Sequence, residues 1–266
     1  MRILFIGDIV AKVGRKTVQH ELPALIEKYK IDFVIANGEN ATHGKGMIYH
    51  HYQELLNYGI DAITLGNHYD DKSEIEKYLD AATEVVRPLN IKKDFPGVGS
   101  AVFKSEDGTT IRITNLLGQA FLEMDVENPF LSFEAFLKTI EPANIHIVDF
   151  HGEATAEKQA FGLAFARQVS AVIGTHTHVQ TRDYRIIDDF TGYISDVGMT
   201  GPNNGVLGTD KEGVISKMFN REKSHFSYDK KDDGLFSAVV LDIDEATGAC
   251  QSIFPIYSVV KASELR

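Results

Sequence analysis

The sequence predicts an α/β fold (α+β in some schemes) in which two mixed sheets lie face to face with helices outside. Three observations predict it. The first half alternates short apolar runs with helix-like segments, the rhythm of βαβ units with largely parallel strands. From residue 180 to 260 the chain reads mostly as β. Metal-type side chains recur where apolar runs end, at Asp8, Glu39 with Asn40, Asn67 with His68, His151, and His176 with His178. Several strand ends carrying such residues point to one shared rim, and to a pair of metals.

Taken in order, "RILFIG" reads as a buried strand, too short for a helix and bounded by glycine. "RKTVQHELPALIEKY" is helical, and Pro23 is expected to kink or divide it. "IDFVIA" is the second strand, and "MIYHHYQELLNYG" a helix that stops at Gly59. "IDAITL" is the third strand, and "KSEIEKYLDAA" the next helix. "GSAVFK" and "TIRITNLL" are expected to pair across the "EDG" turn. "SFEAFLKTI" reads as helix, "IHIVDF" as strand, and "ATAEKQAFGLAFARQV" as a long helix running into the strand "SAVIG". "GYISDV", "GVISKMF", "LFSAVVLDID" and "QSIFPIYSVV" read as further strands. There is no repeat, low-complexity tract or clear linker, so one domain over 1–266 is expected.

Composition narrows the function classes. A hydrophobic fraction of 43% supports a sizeable core, and a net charge of −11 argues against stable DNA binding or a generic nucleic-acid scaffold. Small nucleotides stay open, because bound cations reverse the local field. Cys250 is the single cysteine, so no internal disulfide forms. The start lacks a signal-peptide pattern, and no apolar run approaches the roughly 18 residues of a membrane span. The expected setting is cytoplasmic, with no membrane partner.

Each site residue has a plain alternative. Asp8 in "FIGDI" either caps a helix or ligates, and the company of the other residues favours a ligand. Glu39 in "GEN" follows an apolar strand, where an unpaired carboxylate is expensive. A metal would remove that cost, which makes Glu39 a candidate bridge. Asn40 is a ligand or a loop-holding side chain. Asn67 offers a neutral oxygen, and His68 a group that titrates near neutrality. Asp70 and Asp71 orient an imidazole or cap the helix expected after them. His151 ends a strand, with Asp149 expected on the other face. His176 and His178 are expected to face one side of an extended segment and reach the same cluster.

His20, His50, His51, His146 and His225 read as surface or filler, whereas His43, next to the Glu39–Asn40 loop, is a candidate substrate contact. "SDVGMTGPNNG", Ser195 to Gly205, is a tight surface connection, or a substrate or assembly loop with Thr200 near the ligand. "FNREKSHFSYDKKDDG" is charged and carries no assigned chemistry. Lys12, Arg15 and Lys45 are placed near the mouth, drawing in an anion. Carboxylate, amide and imidazole without thiolate suit iron, manganese or zinc. Two such ions about 3.5 Å apart are a usual clamp for phosphate-ester hydrolysis.

In this order, "GDI", "GEN", "GNH", the lone His151 and "GTHTH" resemble the calcineurin-like metallophosphoesterases. "MRILFIGDI", "ANGENATHGKG", "TLGNHYDD", "DFHGEATAEK" and "SDVGMTGP" narrow the resemblance to the YmdB-like phosphodiesterases, over almost the whole chain. The resemblance implies a four-layer αββα sandwich and a homo-oligomer. It implies a dinuclear phosphodiesterase that hydrolyses 2',3'-cyclic nucleotides to 3'-nucleotides. Fe and/or Mn are the implied ions, with Zn admissible. Asp8, Glu39, Asn40 and His178 are implied for the first metal. Glu39, Asn67, His151 and His176 are implied for the second, with Glu39 bridging. His68 is implied as the metal-free histidine at the phosphate, either general acid or hydrogen-bond donor. Two positions depart from the wider pattern. Ile9 and Val10 stand where Asp-x-His is usual, and Glu39 replaces an aspartate. The longer glutamate with Asn40 beside it would fill the gap. A phosphomonoesterase or nucleotidase, or a regulatory scaffold on the same fold, are the alternatives.

Overall fold

The computed structural model describes residues 1–91, 94–105, 107–219 and 232–265. The N-terminal part runs β1 (Arg2–Ile6), β2 (Asp8–Ile9), α1 (Ala11–Tyr29), β3 (Phe33–Asn37), α2 (Tyr49–Asn57), β4 (Ala62–Thr64) and β5 (Val85–Val86). The middle runs β6 (Ser100–Lys104), β7 (Thr110–Leu117), α3 (Pro129–Leu137), β8 (Ile145–His151), α4 (Thr155–Ala164) and β9 (Ala171–Thr175). The last part runs β10 (Arg185–Ile187), β11 (Thr191–Ile194), β12 (Met199–Pro202), α5 (Lys211–Met218), β13 (Gly234–Ile243) and β14 (Cys250–Val260).

The strands form two mixed sheets among the described residues. In the first, β1, β3, β4 and β5 are parallel, β13 lies antiparallel to β1, and β14 is antiparallel to β13. β12 pairs with the first residues of β13 and carries β2 on its other side. The second sheet has the order β10-β11-β9-β8-β7-β6, parallel from β11 to β7 and antiparallel at both edges.

Strand alternation sorts the core into layers. Ile3 and Phe5 of β1 pack with Ile111, Ile113, Ile145 and Ile147, which fill the space between the sheets. Leu4 and Ile6 pack outward with Val18 and Leu22 of α1 and Leu55 of α2. Val148 and Phe150 of β8 pack with Phe133 of α3 and Phe161 of α4 on the opposite outer face. The expected αββα sandwich is therefore met, including the hairpin of β6 and β7. The parallel strands of both sheets direct their C-terminal ends to one side, the place where ligands gather in open α/β sheets.

Several local expectations are corrected. Pro23 does not divide α1. It lies on the exposed face, where water can meet the carbonyl it leaves without a partner. Residues 72–82 form turns and a single 3-10 turn, Ile75–Lys77, instead of a helix. Their polar groups are engaged elsewhere: Glu74 accepts from the Tyr49 N–H at 3.0 Å, and Asp80 from the Gly97 N–H at 2.7 Å. The helix expected over 154–169 ends at Ala164, and Arg167 turns to a φ of +64° as its N–H bonds Thr191 Oγ1.

"GVISKMF" is helix, not strand. Asp210 caps it by accepting from the Gly213 N–H at 2.9 Å, and Ile215 and Met218 point to solvent. Only the end of the 195–205 stretch, around the exposed Asn204, lies at the surface. Ser195 to Pro202 are buried, Met199–Pro202 is β12, and Thr200 Oγ1 bonds the Ser237 backbone and does not line the cavity over the strand ends. Residues 220–231, most of the charged segment, lie outside the described residues. No helix among the described residues is long and apolar enough to cross a membrane.

Candidate metal centre

Asp8 follows β1, Glu39 and Asn40 follow β3, Asn67 and His68 follow β4, His151 ends β8, and His176 and His178 follow β9. The two sheets thus deliver all eight residues to one rim. Gly66 is required by the crowding there, since a Cβ would lie 2.3 Å from Glu39 Oε2 and 2.5 Å from His151 Nε2.

The centre of the cluster is His151 Nε2. It stands 2.9 Å from Asn67 Oδ1, 3.3 Å from Glu39 Oε1 and 3.1 Å from His176 Nδ1. The hydrogen bonds on the far sides of the rings fix what these atoms are. Thr175 Oγ1 donates to Asp149 Oδ1 at 2.6 Å, so toward His151 Nδ1, 2.9 Å away, it accepts. The Nδ1 proton is spoken for, and Nε2 turns a lone pair to the centre. Glu153 Oε2 lies 3.1 Å from His176 Nε2, which leaves His176 Nδ1 as the lone-pair atom. Leu207 O accepts from His178 Nδ1 at 3.1 Å, which leaves His178 Nε2 facing Asp8 Oδ1 at 3.9 Å.

Four Lewis bases thus converge with no donor proton of their own between them. Two ligands at right angles, each ~2.1 Å from a shared cation, lie ~3 Å apart, close to the spacings around His151 Nε2. Glu39, His151 and His176 are the His, Asp and Glu side chains that cluster closely enough to hold an ion among the described residues. A second sign lies beside them. Asp8 Oδ1 is fully buried and has no hydrogen-bond partner among the described residues. Such an atom in a folded interior asks for a cation or a donor. The residues present therefore fit a metal.

The electrostatics agree. Burial is the largest influence on Asp8 and lifts its carboxyl to about 6, against the pull of His178 and His151. Burial also opposes the charge on Glu39, but His151 and His68 outweigh it and hold Glu39 well below the usual carboxylate range. Burial opposes the His151 cation, yet Glu39 and Asp8 raise that imidazole to about 9. The negative field that favours a positive charge on this ring is the same one that would draw a metal cation. Burial, then the charge of His151, lower His176 to about 3.

Asn40 presents its amide nitrogen, not its oxygen, to Glu39 Oε1 at 2.9 Å and to His178 Nε2 at 3.3 Å. As a ligand it would have to turn over. His68 is half-buried. Its N–H donates to Glu39 Oε2 at 2.9 Å, and Asp71 Oδ2 holds its Nδ1 at 2.9 Å. Asp71 therefore orients an imidazole, and no helix follows for it to cap.

Asp149 is a correction. Residues two apart on a strand share a face, so Asp149 and His151 both point between the sheets. Asp149 accepts from Asn37, Thr64 and Thr175 beneath the cluster. The two-histidine segment is not extended either. β9 ends at Thr175, and His176 and His178 take φ of +106° and +65°, conformations that cost about 1–3 kcal/mol each outside glycine.

A cavity of about 300 Å³ opens over the cluster, lined by Glu39, His68, Glu153, His176, His178 and Lys45 among others. Glu153, Thr177, Leu207 and Thr209 line it without having stood out in the sequence. Glu153 follows the lone histidine in "HGE", the one local signal that it belongs here. Lys45 is at the mouth as expected. His43 is exposed and does not line the cavity. Arg15 is buried against Glu54 and the Ala41 carbonyl, and Lys12 is exposed away from the cavity.

Comparison with known proteins adds to this geometry. A family model described as YmdB-like protein matches residues 4–256. The 2',3'-cyclic-nucleotide 2'-phosphodiesterase of Bacillus subtilis (strain 168) is 44% identical over 248 residues, covering 93% of each chain. A putative phosphatase/phosphodiesterase of Mycoplasma genitalium is 43% identical over 233 residues, 85% of this chain and 82% of its own. The crystal structure of a novel phosphatase from Mycoplasma pneumoniae superposes with a TM-score of 0.91 at 36% identity, covering 100% of this chain and 96% of that one.

Proposed function

The chain belongs to the YmdB-like family, and from that premise we propose that it is a metal-dependent phosphodiesterase that opens 2',3'-cyclic nucleotides to 3'-nucleotides at a two-cation centre. The observation that carries the reading is the convergence of Glu39, Asn67 and His176 on His151 Nε2, beside the orphaned Asp8 Oδ1. Glu39, Asn67, His151 and His176 would hold one cation. Asp8, His178 and a turned Asn40 would hold the other, with Glu39 shared between them. Oxygen and nitrogen donors without thiolate favour Fe or Mn and admit Zn. Bound there, the cations would supply Lewis acidity toward the phosphate and an activated water at neutral pH.

The remaining steps belong to the chain. The Thr175–Asp149 pair holds the His151 ring with Nε2 forward. Asp71 holds His68 by Nδ1, which leaves Nε2 free toward the cavity that His68 lines. As phosphorus takes up oxygen from water, the bond to the 2'-oxygen breaks; His68, acting as the imidazolium with its Nδ1–H on Asp71, passes the Nε2 proton to that leaving oxygen, and the proton shed by the water goes to solvent. The product keeps its phosphate on the 3'-oxygen. Lys45 at the mouth favours an anion in a protein of net charge −11.

The phosphatase descriptions of the Mycoplasma relatives support one second reading, a phosphomonoesterase, and product analysis separates the two. Purified protein, loaded with iron or manganese under reducing conditions, is assayed on 2',3'-cyclic AMP, 3',5'-cyclic AMP and p-nitrophenyl phosphate. Metal-dependent release of 3'-AMP from the 2',3'-cyclic substrate is expected, with no 2'-AMP. Turnover of p-nitrophenyl phosphate alone would replace the diesterase reading with the monoesterase one.

A further inference from the structure

We propose that the buried Lys158–Asp196 ion pair is a positioning device for the metal centre, locking the two-histidine turn and the Asp8 strand against each other. The inference rests on His176 and His178 being metal ligands, as read above.

Neither residue touches the cavity, and each side chain is only 1% exposed. Lys158 Nζ donates to Asp196 Oδ2 at 2.8 Å and to the Thr175 carbonyl at 2.8 Å. Asp196 Oδ2 also accepts from the Thr177 N–H at 2.9 Å. The pair therefore grips the backbone on both sides of His176, and Thr177 lies between the two histidines in left-handed conformation. The other oxygen, Asp196 Oδ1, accepts from the Gly198 N–H at 2.9 Å. The Gly198 carbonyl in turn accepts from the Asp8 N–H at 3.1 Å. One carboxylate thus ties the His176–His178 turn of one sheet to the Asp8 end of the other.

Stability alone does not account for such a pair. Two buried charges lose their hydration, and apolar residues of similar volume often serve a fold as well or better. What apolar residues cannot do is hold two N–H groups and one carbonyl at fixed places behind a cluster of ligands. The pair also gives a use to two segments, "DFHGEATAEK" and "SDVGMTGP", whose Lys158 and Asp196 have no part in the ligand set.

The test compares wild type, Lys158→Met and Lys158→Met/Asp196→Asn, each stripped of metal and titrated with Mn²⁺, alongside thermal melts and kinetics on 2',3'-cyclic AMP. The single variant strands a buried carboxylate, and the double variant removes both charges. The double variant is expected to melt cooperatively near the wild-type temperature, yet to bind Mn²⁺ about 10- to 100-fold more weakly. Its kcat should fall while KM changes little. A folded double variant with wild-type Mn²⁺ affinity would overturn the positioning role. Failure of both variants to fold would assign the pair to the fold and overturn it too. Wild type that takes up no Mn²⁺ would overturn the metal reading beneath it, a result distinct from the other two.

Discussion

Glu39→Gln is expected to lose bound metal and turnover together. Glu39 is 1% exposed, and its two oxygens face the Asn40 amide, the His68 N–H and His151 Nε2. The substitution keeps size and shape, so the sandwich should still form. It removes the negative charge that makes the pocket attractive to cations, and it sets an NH₂ where an acceptor is needed. The loss of several kcal/mol of charge stabilisation corresponds to a fall in kcat of about a thousandfold or more. Metal content by elemental analysis and kcat on 2',3'-cyclic AMP are read on the same preparation. A Glu39→Gln variant that retains its metal and its rate would remove Glu39 from the centre.

His68→Ala should separate the two properties. The His68 side chain bonds Asp71, not the ligand cluster, and only its backbone N–H reaches Glu39. Alanine keeps that N–H, so metal content should match wild type. Loss of the proton donor should lower kcat by about 100- to 10,000-fold. A diester whose leaving group is p-nitrophenolate needs little protonation, and on that substrate the deficit should largely vanish. Equal losses on both substrates would instead make His68 a hydrogen-bond donor to the phosphate. Wild-type turnover of the cyclic substrate would exclude both roles.

Much of the fold is legible in the sequence because its signals are local. Short apolar runs such as "RILFIG" and "IDFVIA" cannot be helices of useful length, and each ends on a polar residue that must be explained. Where tertiary contacts set the outcome, local reading fails. Residues 72–82 carry a helix-like pattern, but Glu74 and Asp80 are taken by the backbone of α2 and of Gly97. "GVISKMF" is rich in strand formers, yet the Asp210 cap and the exposure of Ile215 and Met218 make it helix. Propensity is the weaker term in both cases.

The site divides in the same way. The ligand-type residues are visible as strand-end chemistry. The residues that aim them are not, because Thr175, Asp149, Glu153 and Asp196 act through contacts between segments far apart in the chain. Asp149 lies on the face opposite to the one expected, although its spacing of two from His151 fixes a shared one. Lys158 does leave a trace. It falls three residues before Phe161 and seven before Phe165 on one buried face, and a lysine there needs a partner.

The proposed activity depends on a two-cation centre shared through Glu39. Anomalous diffraction at the iron and manganese edges, on crystals of the metal-loaded protein, tests it most directly. Two peaks are expected, one bounded by Asn67, His151 and His176 and the other by Asp8 and His178, with the Glu39 carboxylate between them. A single peak, or none within reach of Glu39, would contradict it.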